Sequence, residues 1–363
     1  MSKDKTDKQI RKLYLNNFLG NISIAGAAWV LLLASRGFSL IEIGFAETVF
    51  HLVSILAEIP SGMFADVIGR KKSMLMSCVT GAISCFSMAF WDSFTGVLVS
   101  IAFSALTYNL CTGTDSAMAY DSLLEVKREA EYDGYISKQT IIYRISNGIA
   151  TLAAGVALIL GNVLSQMIGV ILHVIRFAIL ITMTENKVVS SNTDSLGKRI
   201  KDCVRESLGF LKGNRTVARL IFRNAVVGAI DILLLFFLQA KLPMTGIPDW
   251  VLGPLLFIMS MGGILGAHIS TKVKGVKFGK LFAVCLVLVS AGFMAEFTGV
   301  AWIMTLGGFL AAFADDLIQI RADVELNQMV PAPQRATLIS VNSLVFSLVM
   351  IVMSPLAGWL FSL

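Results

Sequence analysis

The stretch Glu58–Lys72 reads EIPSGMFADVIGRKK, and it places an aspartate, three basic residues and two glycines between two apolar segments. The chain has 363 residues, of which 56% are hydrophobic and 15% are charged. A soluble domain carries roughly 25% charged residues. With a mean hydropathy of +0.76, the chain has too little polar surface to face water on all sides. The composition therefore predicts an integral membrane protein in which this stretch is a loop.

Apolar segments long enough to cross a bilayer recur along the whole chain. A membrane helix needs about 20 mainly apolar residues, and we identify eleven such segments: 13–34, 41–59, 73–91, 95–121, 139–160, 163–184, 217–240, 249–271, 279–296, 299–321 and 337–361. In lipid each segment must satisfy its own backbone polar groups, which predicts an all-α protein. The longest loop divides the chain into an N-terminal six-helix half (1–184), a central loop (185–216) and a C-terminal half of five spans (217–363).

The central loop repeats apolar residues at helical spacing with basic residues between them. This pattern predicts an amphipathic helix on the membrane surface, or alternatively a solvated linker helix. Almost all of the 30 Lys and Arg residues lie in the N-terminal tail, in the even-numbered loops or at the adjoining span ends. By the positive-inside rule, this distribution predicts a cytoplasmic N-terminus. The net charge of +6 is then a topology signal, and no nucleic-acid partner is expected.

The opening stretch has a counterpart in a known family. GMFADVIGRKK resembles the Gly-x-x-x-Asp-Arg-x-Gly-Arg-Lys/Arg signature of the major facilitator superfamily of secondary transporters. The matching positions are Gly62, Asp66, Gly69, Arg70 and Lys71, whereas Val67 replaces an arginine. EIPSG (58–62), GTDSAMAYDSL (113–123) and NQMVPAPQRATLISVNS (327–343) are similar to a bacterial branch of drug and multidrug efflux permeases.

The resemblance implies two pseudo-symmetric helical bundles in a monomer that spans the bacterial plasma membrane many times. It also implies a gating cluster. Gly62 and Gly69 would allow a tight turn and a close helix approach. Asp66 would cap the start of the eleventh span near residues 335–337, and Arg70 would pair with Asp121. The implied function is proton-coupled export of small hydrophobic compounds.

Ionisable residues inside spans are costly and are therefore functional candidates. The candidate pathway for protons or substrate is Glu47, His51, Asp115, Arg144, Asp231, Asp315 and Asp316. A carboxylate whose partner or hydration changes between two states can bind and release a proton. The alternative is that His51, and the pair His173 and Arg176, are buried polar groups that neighbouring helices satisfy.

Two features depart from the family pattern. The fifth predicted span lacks the Gly-Pro pair of the antiporters, and only eleven of twelve spans are recognised. An uptake symporter for a sugar, nucleoside or organic acid therefore stays open, as does a truncated protein without transport activity. The sequence contains no catalytic or nucleotide-binding motif and no metal-ligand spacing, so we expect neither an enzyme nor a cofactor or metal.

Overall fold

The computed structural model describes residues 3–185, 196–273, 275–329 and 335–363. This part of the chain is helical, with a 3₁₀ turn at Glu129–Glu131 and no strand. The helices are α1 (Lys3–Asn21), α2 (Ile24–Ala27), α3 (Trp29–Ser35), α4 (Leu40–Ile68), α5 (Arg70–Phe90), α6 (Phe94–Cys111), α7 (Thr114–Leu124), α8 (Tyr132–Leu152), α9 (Ala154–Ile181), α10 (Leu196–Gly213), α11 (Arg215–Met244), α12 (Asp249–Ser270), α13 (Phe278–Glu296), α14 (Ala301–Met329) and α15 (Arg335–Phe361). The prediction of an all-α membrane protein is confirmed.

Nine helical segments within the described residues are long and apolar enough to cross a membrane. They are Leu40–Ile68, Arg70–Phe90, Phe94–Leu124, Ala154–Ile181, Arg215–Met244, Asp249–Ser270, Phe278–Glu296, Ala301–Leu326 and Ser340–Phe361. The predicted count of eleven is not confirmed, and it differs at the first and fifth predicted spans. The first is interrupted because Ser23 caps a new helix by accepting a hydrogen bond from the Gly26 N–H.

The fifth predicted span, 139–160, is divided between two helices. α8 ends at Leu152 and carries the charged residues Lys138 and Arg144. α9 then begins at Ala154 and is broken at Gly161, whose φ is 75°. A positive φ is accessible to glycine at little cost, which explains why the helix breaks at this residue. The break falls close to the predicted boundary between the fifth and sixth spans.

The connection between the second and third predicted spans is shorter than predicted. α4 continues through Pro60 to Ile68, and α5 begins at Arg70. Only Gly69 separates them, with a φ of 114°. The opening stretch is therefore two helix ends joined at one glycine, and not a loop of several residues.

The chain forms two compact units. The first contains Met1–Leu32 and Leu52–Arg199, and the second contains Leu33–His51 and Ile200–Leu363. The division near residue 200 falls inside the predicted central loop. Leu33–His51 packs with the second unit, although the predicted division places it in the N-terminal half. Residues 186–195 of the central loop lie outside the described residues, and α10 occupies the remainder of the predicted amphipathic segment.

In the first unit, α5 packs between α6 and α9. A buried cluster joins α1, α5, α7, α8 and α9, and its members are Leu13, Met74, Cys78, Met118, Ala119, Tyr135, Leu180 and Met183. Outside the apolar core, Arg128 holds α1 to the connection between α7 and α8. Its guanidinium lies 2.7 Å from Asp7 Oδ1 and 2.6 Å from Glu131 Oε1.

In the second unit, α14 packs against α11, α12 and α13. The contact with α12 uses glycines, as is common between membrane helices. A Cβ at Gly262 would overlap the Phe309 carbonyl, and a Cβ at Gly266 would overlap that of Phe313. The two backbones therefore approach closely, which brings the polar residues at the middle of α14 against α12.

Candidate functional site

The signature stretch forms an ion pair inside the first unit. Arg70 lies in the first turn of α5, and its Nη1 is 2.9 Å from Asp121 Oδ2 on α7. Both side chains are about three-quarters buried, at 22% and 25% exposure. The pair therefore joins the end of the sequence signature to the end of the segment GTDSAMAYDSL.

Lys71 makes contacts that the sequence did not predict. The Lys71 Nζ donates to the carbonyls of Ile181 and Met183, at 2.8 and 2.7 Å. The Glu185 carboxylate accepts a hydrogen bond from the Lys71 backbone N–H. Glu185 was missed because nothing in its local sequence indicates that it meets a helix start more than one hundred residues earlier.

The two signature glycines have different surroundings. A Cβ at Gly69 would lie 2.7 Å from the side-chain oxygen Oε2 of Glu185. The contact found there is with a side chain, so the close helix approach stays a prediction. Gly62 lies inside α4, and a Cβ there would meet nothing within 4 Å, so neither a turn nor a close contact is found among the described residues. Asp66 lies in the last turn of α4. Its predicted partners, the side chains of 335–337, lie outside the described residues, so that cap stays a prediction.

The second unit gathers three carboxylates at one place. Asp231 on α11 lies within electrostatic range of Asp315 and Asp316 on α14. The Asp315 Oδ1 is buried and has no hydrogen-bond partner in the described part of the chain. It would lie 3.0 Å from a Cβ at Gly228 of α11, and Asp316 Oδ2 would overlap a Cβ at Gly263 of α12. The glycines therefore leave room for both carboxylates between the helices.

Glu47 and His51 also belong to the second unit. Their side chains are paired on one face of α4, with His51 Nε2 3.3 Å from Glu47 Oε1. The other ring nitrogen of His51 lies 3.2 Å from Ser347 Oγ. The His51 ring meets the edge of Phe346, whose ring also lies beside Gly228. Five of the seven predicted pathway residues are therefore found in this unit.

The other two predicted pathway residues, Asp115 and Arg144, lie in the first unit. Asp115 is partly buried in the first turn of α7. Its carboxylate accepts hydrogen bonds from the Gln139 side chain and from the Ser116 backbone N–H. Arg144 is exposed on α8, and the described residues offer it no salt-bridge partner. The seven predicted residues are thus divided between the two units.

A polar cavity of about 270 Å³ opens within the first unit. Its lining residues are Asn16, Asn17, Gly20, Asn21, Thr107, Tyr108, Cys111, Thr112, Asp115, Tyr143 and Arg176. Arg176 is only 6% exposed, and its Nε donates to the Asn16 side chain at 3.1 Å. Nearby, the His173 ring packs against Gly81 with its Nδ1 buried and unbonded among the described residues. The alternative that neighbouring helices satisfy both His173 and Arg176 stays a prediction.

The second unit contains a larger apolar cavity of about 420 Å³ between α11, α13 and α15. It is lined by Ile230, Leu233, Leu234, Ser290, Phe293, Met294, Met353, Leu356, Ala357, Leu360 and Phe361. Its volume lies in the usual range for small-molecule sites. The chain thus offers a small polar cavity in one unit and a larger apolar one in the other.

Comparisons with known proteins agree with this architecture. The family model of the Major Facilitator Superfamily matches residues 13–319. An uncharacterized MFS-type transporter of Bacillus subtilis (strain 168), YxaM, is 28% identical over 93 residues. Those residues are 26% of this chain and 23% of that protein, so the alignment spans about a quarter of the relative.

Several solved structures share the fold. A point mutant of the nucleoside transporter NupG gives a TM-score of 0.78 at 15% identity, covering 98% of this chain and 96% of that one. A bacterial homolog of the human lysosomal transporter Spinster gives 0.72 at 18% identity, covering 98% and 82%. A D-xylose–proton symporter gives 0.65 at 13% identity, covering 99% and 89%.

Proposed function

The chain belongs to the Major Facilitator Superfamily, and we propose that it is a proton-coupled secondary transporter that exports small hydrophobic compounds by alternating access. As a multi-pass membrane protein of this family, it is a transporter and not an enzyme. We place it as a monomer in the bacterial plasma membrane with its N-terminus in the cytoplasm. Protons and a small-molecule substrate are its proposed partners.

The proposal of proton coupling rests on the carboxylates Asp231, Asp315 and Asp316. None of the three forms a salt bridge with a Lys, Arg or His among the described residues, and one Asp315 oxygen is buried without a donor. Like charges that share a site disfavour the ionised form, and so does burial away from water. A proton bound to this cluster would be retained while it is buried and released when water reaches it, which is the cycle that coupling requires.

The second component of the proposal is a gate at the ion pair of Arg70 and Asp121. A pair that forms in one state of the transport cycle and separates in the other would bias the equilibrium between the states. The loss of one partner would change the populations of the two states by the free energy of the pair. Substrate is not placed at this pair.

Purified protein reconstituted into liposomes with a pH-sensitive dye inside tests the coupling. We expect addition of a transported hydrophobic cation or neutral drug to move protons across the membrane in the wild type and not in Asp315→Asn. The matched control is Asp323→Asn, which removes a carboxylate two turns further along α14. If Asp315→Asn still couples its transport to protons at the wild-type ratio, the cluster is not the proton site.

Uptake of a polar solute, such as a sugar, nucleoside or organic acid, is the second candidate. The polar cavity of the first unit, with Arg176 and three asparagines in its wall, favours it. A deletion strain separates the two directions. Greater sensitivity to hydrophobic drugs with normal growth on all nutrients would support export, whereas failure to grow on one polar nutrient would support uptake.

A further inference from the structure

Arg176 is a buried cation that the proposed proton path does not use. This residue lies on α9 and is only 6% exposed. Among the described residues its hydrogen bonds reach only neutral acceptors, the Asn16 amide oxygen at 3.1 Å and the Cys111 sulfur at 3.8 Å. A guanidinium has five N–H donors, and a buried charge without an opposite charge is costly. Arg176 therefore has no ion-pair partner among the described residues, although the Asp115 carboxylate lines the same cavity.

The surroundings of Arg176 leave room for an anion. The guanidinium lines the polar cavity of the first unit. Gly20 lies directly beneath it, and a Cβ there would be 3.0 Å from the Arg176 Cζ. A larger residue at this position would press on the guanidinium from the α1 side. The absence of a side chain at position 20 therefore leaves space for the guanidinium in the cavity wall.

A second unsatisfied group belongs to a residue that lines the same cavity, Asn17. The Asn17 Oδ1 is buried and accepts no hydrogen bond in the part of the chain that the structure describes. Asp115, also in the cavity wall, already accepts from Gln139 and Ser116. The cavity thus presents unused donors on Arg176 and an unused acceptor on Asn17, within a space of about 270 Å³.

We propose that this cavity binds a small solute with a single carboxylate and a neighbouring hydroxyl or amino group. The carboxylate accepts from the Arg176 guanidinium, and the hydroxyl or amino group donates to Asn17 Oδ1. Two charge-assisted hydrogen bonds from a guanidinium fork suit a planar carboxylate. The Asp115 carboxylate in the same wall disfavours a doubly charged group such as phosphate. The cavity is smaller than the 300–1,000 Å³ of drug-sized sites, which selects a small ligand.

This inference names a substrate class for the second candidate, transport of an organic acid, and it rests on the proposed function of transport but not on its direction. The competing explanation is that Arg176 only ties α9 to α1 through Asn16. That structural role predicts equal behaviour toward an acid and its amide. Binding of matched acids and amides to the purified full-length protein therefore separates the two explanations without any transport measurement.

The experiment measures binding of lactate and mandelate by calorimetry and by the shift in melting temperature, with lactamide and mandelamide as uncharged partners. We expect at least one acid to bind at least tenfold more tightly than its amide. Arg176→Gln should remove that preference. The matched control is Arg223→Gln, which removes another arginine of a predicted span whose guanidinium lies over the Phe282 ring in the second unit. The control should bind as the wild type does.

A second variant decides the matter if Arg176→Gln does not fold. Asn17→Asp is nearly isosteric and adds a negative charge to the cavity wall, so it should weaken acid binding at least tenfold and leave amide binding unchanged. Equal binding of acids and amides in the wild type, or acid binding that Asn17→Asp does not alter, would overturn the proposal. So would binding of inorganic phosphate in preference to both acids.

Lipid headgroups are another source of anions, so the measurement is repeated in nanodiscs. Acid affinity that is the same in phosphatidylcholine and in mixtures with phosphatidylglycerol supports a solute site. Acid binding that phosphatidylglycerol abolishes in the wild type would assign the guanidinium to a lipid and overturn the solute assignment. A protein that binds the acids without proton-coupled transport would refute the proposed function alone.

Discussion

The Glu185 Oε1 accepts a hydrogen bond from the backbone N–H of Lys71 at 3.1 Å, which places a carboxylate at the amino-terminal end of α5. The partial positive charge of a helix start favours an anion there. The Lys71 ammonium makes the complementary contact with the carbonyls of Ile181 and Met183 near the end of α9. The signature stretch therefore fastens α5 to α9 within the first unit, in addition to any role in gating.

The two signature glycines provide the first prediction. Gly69→Ala should lower the melting temperature, because φ is 114° and the new Cβ would press on Glu185. The cost should be about 1–3 kcal/mol, as for other residues held in sparsely populated backbone regions. Gly62→Ala is the matched control and should be neutral or stabilising, since Gly62 lies in a helix and a Cβ there would meet none of the described residues within 4 Å. Equal destabilisation by both substitutions would contradict this account.

The sequence predicted the fold through length and apolarity, which are local properties. The ion pair of Arg70 and Asp121 was also anticipated, through the family resemblance. The contacts of Glu185 with Lys71 and of Arg176 with Asn16 were not, because each joins segments far apart in the chain and no sequence pattern indicates which residue is the partner. Tertiary packing decides such contacts, and hydrophobic periodicity carries no information on them.

The number of membrane spans was also not predictable from hydrophobic segments alone. A sliding apolar window does not register that Ser23 caps a new helix or that Gly161 takes a positive φ. Both breaks depend on backbone conformations that one polar or small residue permits. The placement of Leu33–His51 in the second unit could likewise not be predicted from the sequence, because it depends on contacts with α15, such as that of Gly44 with Ser354.

The packing of α12 against α14 provides the second prediction. Gly263→Ala should destabilise the protein, because its Cβ would overlap the Asp316 carboxylate. Gly263→Ala combined with Asp316→Ala should recover most of the lost stability, since the overlapping group is then absent. Gly279→Ala on α13 is the control, because its Cβ would meet nothing closer than 3.7 Å. Melting temperatures in detergent are compared for the wild type, Gly263→Ala, Asp316→Ala, the double variant and Gly279→Ala. Additive losses in the double variant would argue against the contact.

The carboxylate cluster provides the third prediction. Asp315→Asn should raise the melting temperature or leave it unchanged. One Asp315 carboxylate oxygen is buried without a hydrogen-bond donor, and the substitution replaces this carboxylate by a neutral amide. Glu296→Gln is the contrasting variant, because Glu296 forms a 3.0 Å pair with Lys241 and is 4% exposed. Removing one partner of such a buried pair should cost about 3–5 kcal/mol. A marked loss of stability in Asp315→Asn would indicate that this carboxylate has a structural partner.

The contact between Arg128 and Glu131 provides a prediction about pH. Hydrogen bonds from the Arg128 guanidinium lower the pKa of the Glu131 carboxyl below its usual 4.5. The contact therefore stabilises the fold at any pH above that usual value and is lost as the pH falls through the lowered pKa. Proteolysis of the 125–131 connection should accelerate as the pH falls below 4.5, and Glu131→Gln should remove this pH dependence. High salt should weaken the effect, because the Glu131 side chain is exposed and that of Arg128 is partly exposed.

The ion pair of Arg70 and Asp121 provides the last prediction. Each of Arg70→Ala and Asp121→Ala should reduce transport to a similar extent, because each leaves the other partly buried charge without its partner. A hydrogen bond to a charged group is worth about 1–3 kcal/mol, and about 1.4 kcal/mol corresponds to a tenfold change in an equilibrium. The double variant should therefore lose little more than either single variant. The exchange Arg70→Asp with Asp121→Arg should restore part of the rate, since it rebuilds the pair with opposite polarity.

Val67→Ala is the control, because that side chain is exposed and replaces the family's arginine. Initial transport rates and the accessibility of a cysteine introduced beside the pair are measured in each variant. Full additivity of the two single losses, with unchanged accessibility, would show that the two residues do not act as partners in transport.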